Sequence, residues 1–235
     1  MQTQDMQLTI PATRLSDDGI EIALNSHGKA PFLLIIDQSA SVAPWIRELE
    51  DAVKMVLRTV MVDDELASLR ADLAILKCGG DVATLLDFGQ AKPGEIPPLP
   101  AFRADGETPL GAAVRQGNAM LHARHADYRR NSLPSYRPHY FILSDGRPTD
   151  AGWESAADEL RTLAAERKWN VNAFGVGESA DLNALQRFCV NPVTRVDPSQ
   201  IKALLRWVST SIKAVSRSQN AGSGLPPVLP AFPQL

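Results

Sequence analysis

The sequence has few of the residues that build disulfide or zinc frameworks. It contains two cysteines and four histidines in 235 residues, and Cys78 and Cys189 lie far apart. No Cys-x-x-Cys pair or Cys/His framework is present, which argues against a disulfide scaffold and a structural zinc site. We expect both thiols to be small core residues. His122 and His125 share one helical face without further ligands and are predicted to lie at the surface.

An excess of basic residues is also missing. The chain has 24 Lys and Arg against 27 Asp and Glu, a formal charge of −3, which argues against general binding to nucleic acid or to an anionic membrane. No uncharged apolar run approaches the length of a membrane span, and the first residues lack the pattern of a signal peptide. We therefore expect a cytoplasmic protein that binds neither nucleic acid nor membrane.

The apolar pattern alternates between short strands and amphipathic helices along the chain. Strands are predicted at 32–36, 70–77, 82–88, 139–144, 169–175 and 193–196, and helices at 109–123, 152–167 and 181–188, with further helices opening at Pro44 and Asp197. The short Gly79-Gly80-Asp81 linker implies a hairpin. These elements predict a three-layer, doubly wound α/β fold whose mostly parallel sheet has one antiparallel edge strand.

Composition divides the chain into three parts. Residues 1–30 are predicted to be an N-terminal lead-in, with an edge hairpin as one form of it. Residues 31–216 form the α/β domain, and the Gly/Ser/Pro-rich residues 217–235 are expected to be a disordered tail. Within the domain, four prolines make 92–102 an extended loop.

Three segments place oxygen-bearing side chains after strands or before a helix. Asp37-Gln38-Ser39-Ala40-Ser41 follows the first apolar strand, Thr108 precedes a helix as its predicted N-cap, and Asp145-Gly146 follows a later strand. Because ligands bind outside the carboxyl ends of parallel strands, these segments are expected to meet. Oxygen ligands suit Mg²⁺. The first motif taken alone is equally typical of turn capping.

The combination of Asp37-x-Ser39-x-Ser41, Thr108 and Asp145-Gly146 resembles the von Willebrand factor type A family and its metal-ion-dependent adhesion site. The segments Gly106-x-Thr108-Pro109-Leu110-Gly111 and Ser144-Asp145-Gly146-Arg147-Pro148-Thr149-Asp150 are similar to the bacterial TerY-like branch, associated with tellurium resistance and stress response. The resemblance implies a Mg²⁺ or Mn²⁺ site with ligands Asp37, Ser39, Ser41, Thr108 and Asp145.

Two residues complicate this resemblance. The family usually has glycine where this chain has Ala40, which narrows the allowed backbone there but leaves each ligand in place. Asp150 is interpreted as a cap of the helix that follows it, with a metal or partner role as the alternative.

Two function classes remain open on the sequence. The first is a non-enzymatic adaptor whose metal binds an Asp or Glu carboxylate of a protein partner, which the resemblance connects to kinase and phosphatase components of a bacterial stress response. The second is a Mg²⁺-dependent phosphohydrolase using Asp37 as nucleophile. Ser39 stands where such enzymes have a second Asp, and no His or Lys lies near either motif, so the first class is favoured.

Overall fold

A computed structural model describes residues 28–218, and its centre is one six-stranded sheet. The strands are β1 (Ala30–Asp37), β2 (Ala71–Gly79), β3 (Asp81–Leu86), β4 (His139–Ser144), β5 (Asn170–Val176) and β6 (Thr194–Val196). Their spatial order is β3-β2-β1-β4-β5-β6, with only β3 antiparallel to its neighbour. The chain adds β2 and β3 on one side of β1 and then β4, β5 and β6 on the other side. The carboxyl end of β1 is therefore a topological switch point.

Helices cover both faces of this sheet. They are α1 (Ile46–Met61), α2 (Glu65–Arg70), α3 (Leu110–Arg130), α4 (Trp153–Ala165), α5 (Leu182–Gln186) and α6 (Ile201–Arg217). Short 3-10 turns at Ala40–Trp45 and Pro198–Gln200 lead into α1 and α6. The predicted three-layer α/β class and its antiparallel edge strand are thereby confirmed.

Successive residues of β1 point into two separate cores. Phe32, Leu34 and Ile36 pack in the layer formed with α1 and α6, whereas Leu33 and Ile35 pack in the layer formed with α3 and α4. All eight residues of the strand are buried. A strand covered on both faces needs a continuous apolar run, which is why this segment lacks polar alternation.

Several local predictions need correction. The helical stretch after the first motif begins at Ala40, and Pro44 lies inside its 3-10 turn instead of opening it. Helix α2 was not predicted, because six residues give too little periodicity. Thr108 is not an N-cap: α3 begins at Leu110, and the residue before it is Pro109.

Arg124 belongs to a buried ion pair. Its Nε lies 2.6 Å from Asp72 Oδ2, and the hydroxyl of Tyr128 donates to the same oxygen. Asp72 also accepts the Gly89 N–H at 2.8 Å. This network ties α3 and the turn after β3 to the start of β2.

The two ends of the described chain lie together at the amino ends of the central strands. The Tyr136 N–H donates to the Lys29 carbonyl at 2.8 Å, and its hydroxyl donates to the Ser218 carbonyl. The edge hairpin predicted within the N-terminal lead-in and most of the predicted tail fall outside residues 28–218. The proposed division of the chain into three parts therefore stays a prediction. Within that range, no helix combines the length and apolar character needed to cross a bilayer.

Candidate metal centre

The candidate site lies at the carboxyl ends of the adjacent parallel strands β1 and β4. Ile36 pairs with Leu143 in this register, so the next residues, Asp37 and Ser144, come side by side. The Ser144 hydroxyl donates to Asp37 Oδ2 at 2.5 Å, and the Ser39 N–H donates to Asp37 Oδ1 at 2.8 Å. Both oxygens of the buried Asp37 carboxylate therefore have partners.

A chain of hydroxyl contacts connects the first motif to Asp145. The Ser39 and Ser41 hydroxyl oxygens lie 2.9 Å apart, and the Ser41 hydroxyl donates to Asp145 Oδ2 at 2.5 Å. The Arg147 N–H donates to the other Asp145 oxygen at 3.2 Å. Ser39 and Asp145 are buried, whereas Ser41 is exposed, so the cluster reaches solvent on the Ser41 side.

Burial sets the electrostatics of this cluster. Desolvation raises the pKa of Asp37 above its ordinary value, and the nearby negative charge of Asp145 raises it further. The hydrogen bonds from Ser144 and Ser39 oppose this rise, because they stabilise the ionised form. Two carboxylates brought together in a buried place favour the approach of a cation.

Thr108 reaches the same edge through its loop's main chain. The Ala40 N–H donates to the Gly106 carbonyl at 3.0 Å, and the Asp105 N–H donates to the Gln38 carbonyl at 2.8 Å. Thr108 is buried, and its own N–H donates to the Thr149 hydroxyl at 3.1 Å. The structure thus joins Asp37, Ser39, Ser41 and Asp145 by side-chain contacts and adds Thr108 only through the loop.

Main-chain segments approach one another closely beside this loop. A Cβ at Gly79 would lie 2.2 Å from the Gln38 carbonyl carbon, and one at Gly106 would lie 2.5 Å from the Gly80 Cα. Real Cβ atoms do not come so close to backbone, so both positions need glycine. The β2–β3 hairpin, the first motif and the loop before Thr108 form one packed unit.

Asp150 caps a different helix from the predicted one. Its carboxylate accepts the Gly111 N–H at 3.0 Å and the Ala112 N–H at 2.8 Å, and it pairs with Arg115 at 3.0 Å. It therefore stabilises the first turn of α3, which precedes it in the chain. These contacts explain Asp150 without a metal.

The donor set at this edge fits a hard divalent cation. Among residues 28–218 no three His, Cys, Asp or Glu side chains form a metal-binding group. Two carboxylates with hydroxyl groups instead suit an ion that retains some of its waters, as Mg²⁺ does. The sequence did not predict Ser144 as a hydrogen-bond partner of Asp37. The register of β1 and β4, which brings these two side chains together, cannot be read from either motif.

Comparison with solved structures places this arrangement among known folds. The von Willebrand factor domain of the pilus tip protein Mfa5 from Porphyromonas gingivalis matches 83% of this chain and 98% of its own, with 9% identity and a TM-score of 0.62. Proximal thread matrix protein 1 from the mussel byssus, with a zinc-occupied MIDAS motif, matches over 80% and 49%, with 19% identity and a TM-score of 0.57.

The chain has a von Willebrand factor type A fold.

A third structure with this type A fold is the manganese-loaded TRAP protein of Plasmodium vivax. It matches over 77% of this chain and 72% of its own, at 16% identity and a TM-score of 0.52. This chain spans about half the length of the mussel protein. No protein-family model matches the sequence, and no curated protein matches it. At these identities the likeness establishes the fold alone.

Proposed function

We propose that the chain is a metal-dependent protein-binding module. One observation carries this proposal: two buried carboxylates from neighbouring strand ends belong to one hydrogen-bonded cluster. Asp145 accepts the Ser41 hydroxyl, which contacts the Ser39 hydroxyl, and the Ser39 N–H donates to Asp37. The exposed Ser41 gives this cluster a solvent-facing side. The ligand set is Asp37, Ser39, Ser41, Thr108 and Asp145, with Mg²⁺ or Mn²⁺ as the ion. Ser144 orients Asp37 from behind.

The site suits capture of a partner's carboxylate. A divalent ion held there supplies a hard acid with a coordination position toward solvent, and an Asp or Glu side chain is the matching ligand. Zinc in the mussel protein's MIDAS motif and manganese in the TRAP protein support a divalent ion in this fold. The choice of Mg²⁺ or Mn²⁺ for this chain follows from its oxygen donors.

The phosphohydrolase alternative is disfavoured by the position of Asp37. A nucleophile must reach the substrate, yet this side chain is fully buried and both its oxygens accept hydrogen bonds. Purified protein is therefore expected to show no phosphatase or nucleotide hydrolysis above background. Metal-dependent turnover that disappears in Asp37→Asn would establish the enzyme instead.

The cellular setting is proposed from the sequence resemblance alone. The TerY-like motifs favour a cytoplasmic adaptor linked to kinase or phosphatase components in a bacterial stress response. Recovery of such components from the native cell, in the absence but not the presence of EDTA, would support this setting.

Calorimetric titration with Mn²⁺ tests the metal site directly. The wild-type chain should bind one ion, and the double variant Asp37→Asn/Asp145→Asn should bind none, because both carboxylates are lost. Asp150→Asn is the matched control: it alters a carboxylate that caps α3 five residues from Asp145, so metal binding should persist. Unchanged Mn²⁺ binding in the double variant would refute the assignment.

A further inference from the structure

Arg147 is an exposed cation directly beside the candidate metal centre. Its N–H donates to Asp145 Oδ1 at 3.2 Å, while the other oxygen of that carboxylate accepts the Ser41 hydroxyl at 2.5 Å. Arg147 and Ser41 are both exposed, and a single carboxylate group separates the Arg147 main chain from the Ser41 hydroxyl. A partner that reaches the solvent-facing side of the cluster therefore also meets Arg147.

The Arg147 side chain extends from the end of β4 toward β5. Its Nη2 donates to the Ser179 carbonyl at 3.2 Å, in the loop that follows β5. Among residues 28–218 this is the side chain's one hydrogen bond, and the guanidinium pairs with no carboxylate. Asp181 in the same loop caps the first turn of α5, and the exposed Glu178 does not pair with this guanidinium. The charge of Arg147 is therefore open to a carboxylate of a partner.

The loop that carries the Ser179 carbonyl is held rigidly. The Arg195 guanidinium donates to three other carbonyls of this loop, at 2.5 to 3.1 Å. The Asp181 N–H donates to the Asp145 carbonyl at 2.7 Å, and a Cβ at Gly146 would lie 2.4 Å from the Asp181 carbonyl oxygen. The arginine beside the metal centre thus rests on a fixed support, and most of its five N–H donors are left for a ligand.

Strand order sets the separation between this guanidinium and the ion. The proposed metal position lies at the ends of β1 and β4, whereas the supporting carbonyl follows β5, on the other side of β4. Neighbouring strands are about 4.8 Å apart, so the two positions are separated by roughly 5–10 Å. A single carboxylate is too small to bridge them. In an extended peptide, side chains two residues apart lie on one face about 6.7 Å apart, which fits this separation.

We propose that the metal centre selects an extended acidic segment, with one carboxylate on the ion and the carboxylate two residues away on Arg147. This inference rests on the proposed function, in which the ion binds a partner's Asp or Glu. Guanidinium groups bind carboxylates through paired, charge-assisted hydrogen bonds, which also fix the direction of the bound group. Arg147 is thus the residue that distinguishes a segment with two acidic residues from one with a single Asp or Glu.

Three peptides distinguish this pairing from general attraction of negative charge. They are Ac-Ala-Asp-Ala-Asp-Ala-NH₂, the equally charged Ac-Ala-Asp-Asp-Ala-Ala-NH₂ and the single-acid Ac-Ala-Asp-Ala-Asn-Ala-NH₂, each titrated into the full chain in excess Mg²⁺ and followed by NMR. The first should bind about fivefold more tightly than either of the others, the scale of a well-placed exposed ion pair.

The outcomes of this titration separate the pairing from the metal site itself. Magnesium-dependent binding of the single-acid peptide without any preference for the first peptide would overturn the inference and leave the proposed function standing. No magnesium-dependent binding of any peptide would overturn both.

Arg147→Gln should abolish the preference while the affinities for Mg²⁺ and for the single-acid peptide stay unchanged, because the main-chain contact with Asp145 is retained. Arg147→Lys should restore part of the preference, since it returns the charge without the paired donors. Arg103→Gln is the matched control: it removes an exposed arginine from the loop that contacts Gln38, across the cluster from β5. A preference that persists in Arg147→Gln, or an equal loss in Arg103→Gln, would contradict the assignment.

Discussion

The two ends of the central strands differ in charge, access and packing. At the carboxyl ends, Asp37 and Asp145 lie in a cluster braced by hydroxyls and by closely packed main chain. At the amino ends, Arg137 and Arg167 flank a cavity with an exposed apolar wall. One sheet thus has carboxylates clustered at its carboxyl end and arginines beside a cavity at its amino end.

The difference shows that the two ends of a parallel sheet are built in different ways. The carboxyl-end cluster follows from strand register, which aligns the residues after β1 and β4 whatever their side chains. The amino-end cavity depends on how α4 ends and on which residue occupies its left-handed turn. The carboxyl-end cluster is built by topology and the amino-end cavity by local packing.

The largest loss of stability is expected from a substitution where the main chain is most closely packed, beside the carboxyl ends of the strands. Gly79→Ala places a Cβ 2.2 Å from the Gln38 carbonyl carbon, so β2 or the first motif must move. We expect the free energy of unfolding to fall by about 3 kcal/mol or more, since overpacking against rigid backbone is severe. Mn²⁺ binding should be lost with it.

Gly94→Ala provides the matched comparison in urea denaturation. Its φ is +82°, but no atom lies within 4 Å of the new Cβ, so only backbone strain of about 1–2 kcal/mol is added. Mn²⁺ binding should be retained. Equal losses at the two glycines would show that the carboxyl end is no more tightly packed than a surface loop.

An intermediate effect is expected from His139 at the amino end of β4. Burial, with a smaller contribution from the positive charge of Arg137, lowers the pKa of this imidazole to about 3. The unfolded chain takes up a proton near pH 6.5 and the folded chain does not, so stability falls as the pH drops below that value. The slope is about 1.4 kcal/mol per pH unit at most.

His139→Phe should remove the His139 part of this dependence and leave the part that comes from His125, whose pKa burial also lowers. The ring stacks with Phe32 at a centroid distance of 5.1 Å, and its Nδ1 has no partner among residues 28–218. Its Nε2 lies 3.3 Å from the Asn170 side-chain nitrogen, so an apolar ring of similar shape fits with the loss of that one contact. Urea unfolding between pH 7 and pH 5 measures the slope. His122→Gln, at an exposed histidine, should leave it unchanged, and an unaltered slope in His139→Phe would assign the pH dependence to other groups.

The smallest effect on folding is expected at Thr108. Thr108→Ala removes one proposed hydroxyl ligand and should cost about 1 kcal/mol of stability, the typical effect of a point substitution. Mn²⁺ affinity should fall about tenfold, the scale seen when a group supporting a metal site is lost. Thr162→Ala, on the exposed side of α4, should alter neither property. Wild-type Mn²⁺ affinity in Thr108→Ala would remove this residue from the ligand set.

The sequence predicts the fold well because apolar periodicity determines layers. Strand β4 has the predicted bounds, and the Gly-Gly-Asp linker gives the hairpin between β2 and β3. The motif residues Ser41 and Asp145 come into contact, since topology brings the strand ends together. Their clustering was therefore accessible from pattern alone.

The features that the sequence did not predict depend on contacts between segments that lie far apart in the chain. The Ser144 hydroxyl reaches Asp37 only through the register of two strands more than 100 residues apart. Asp150 caps α3, which precedes it, because a neighbouring segment can fill a helix terminus as well as the adjacent residue can. The cavity at the amino end lies beside the left-handed turn at Arg167, and no sequence motif predicts that turn.

The bridge that Tyr136 makes between Lys29 and Ser218 has a practical meaning for engineering. Because both ends of the folded unit leave from one side, a linker of a few residues should close them into a circular chain, and new termini can be opened at the 92–102 loop. The same arrangement lets the unit be inserted into a host protein as a cassette. The carboxyl ends of β1 and β4, where the metal site is proposed, would then face away from the host.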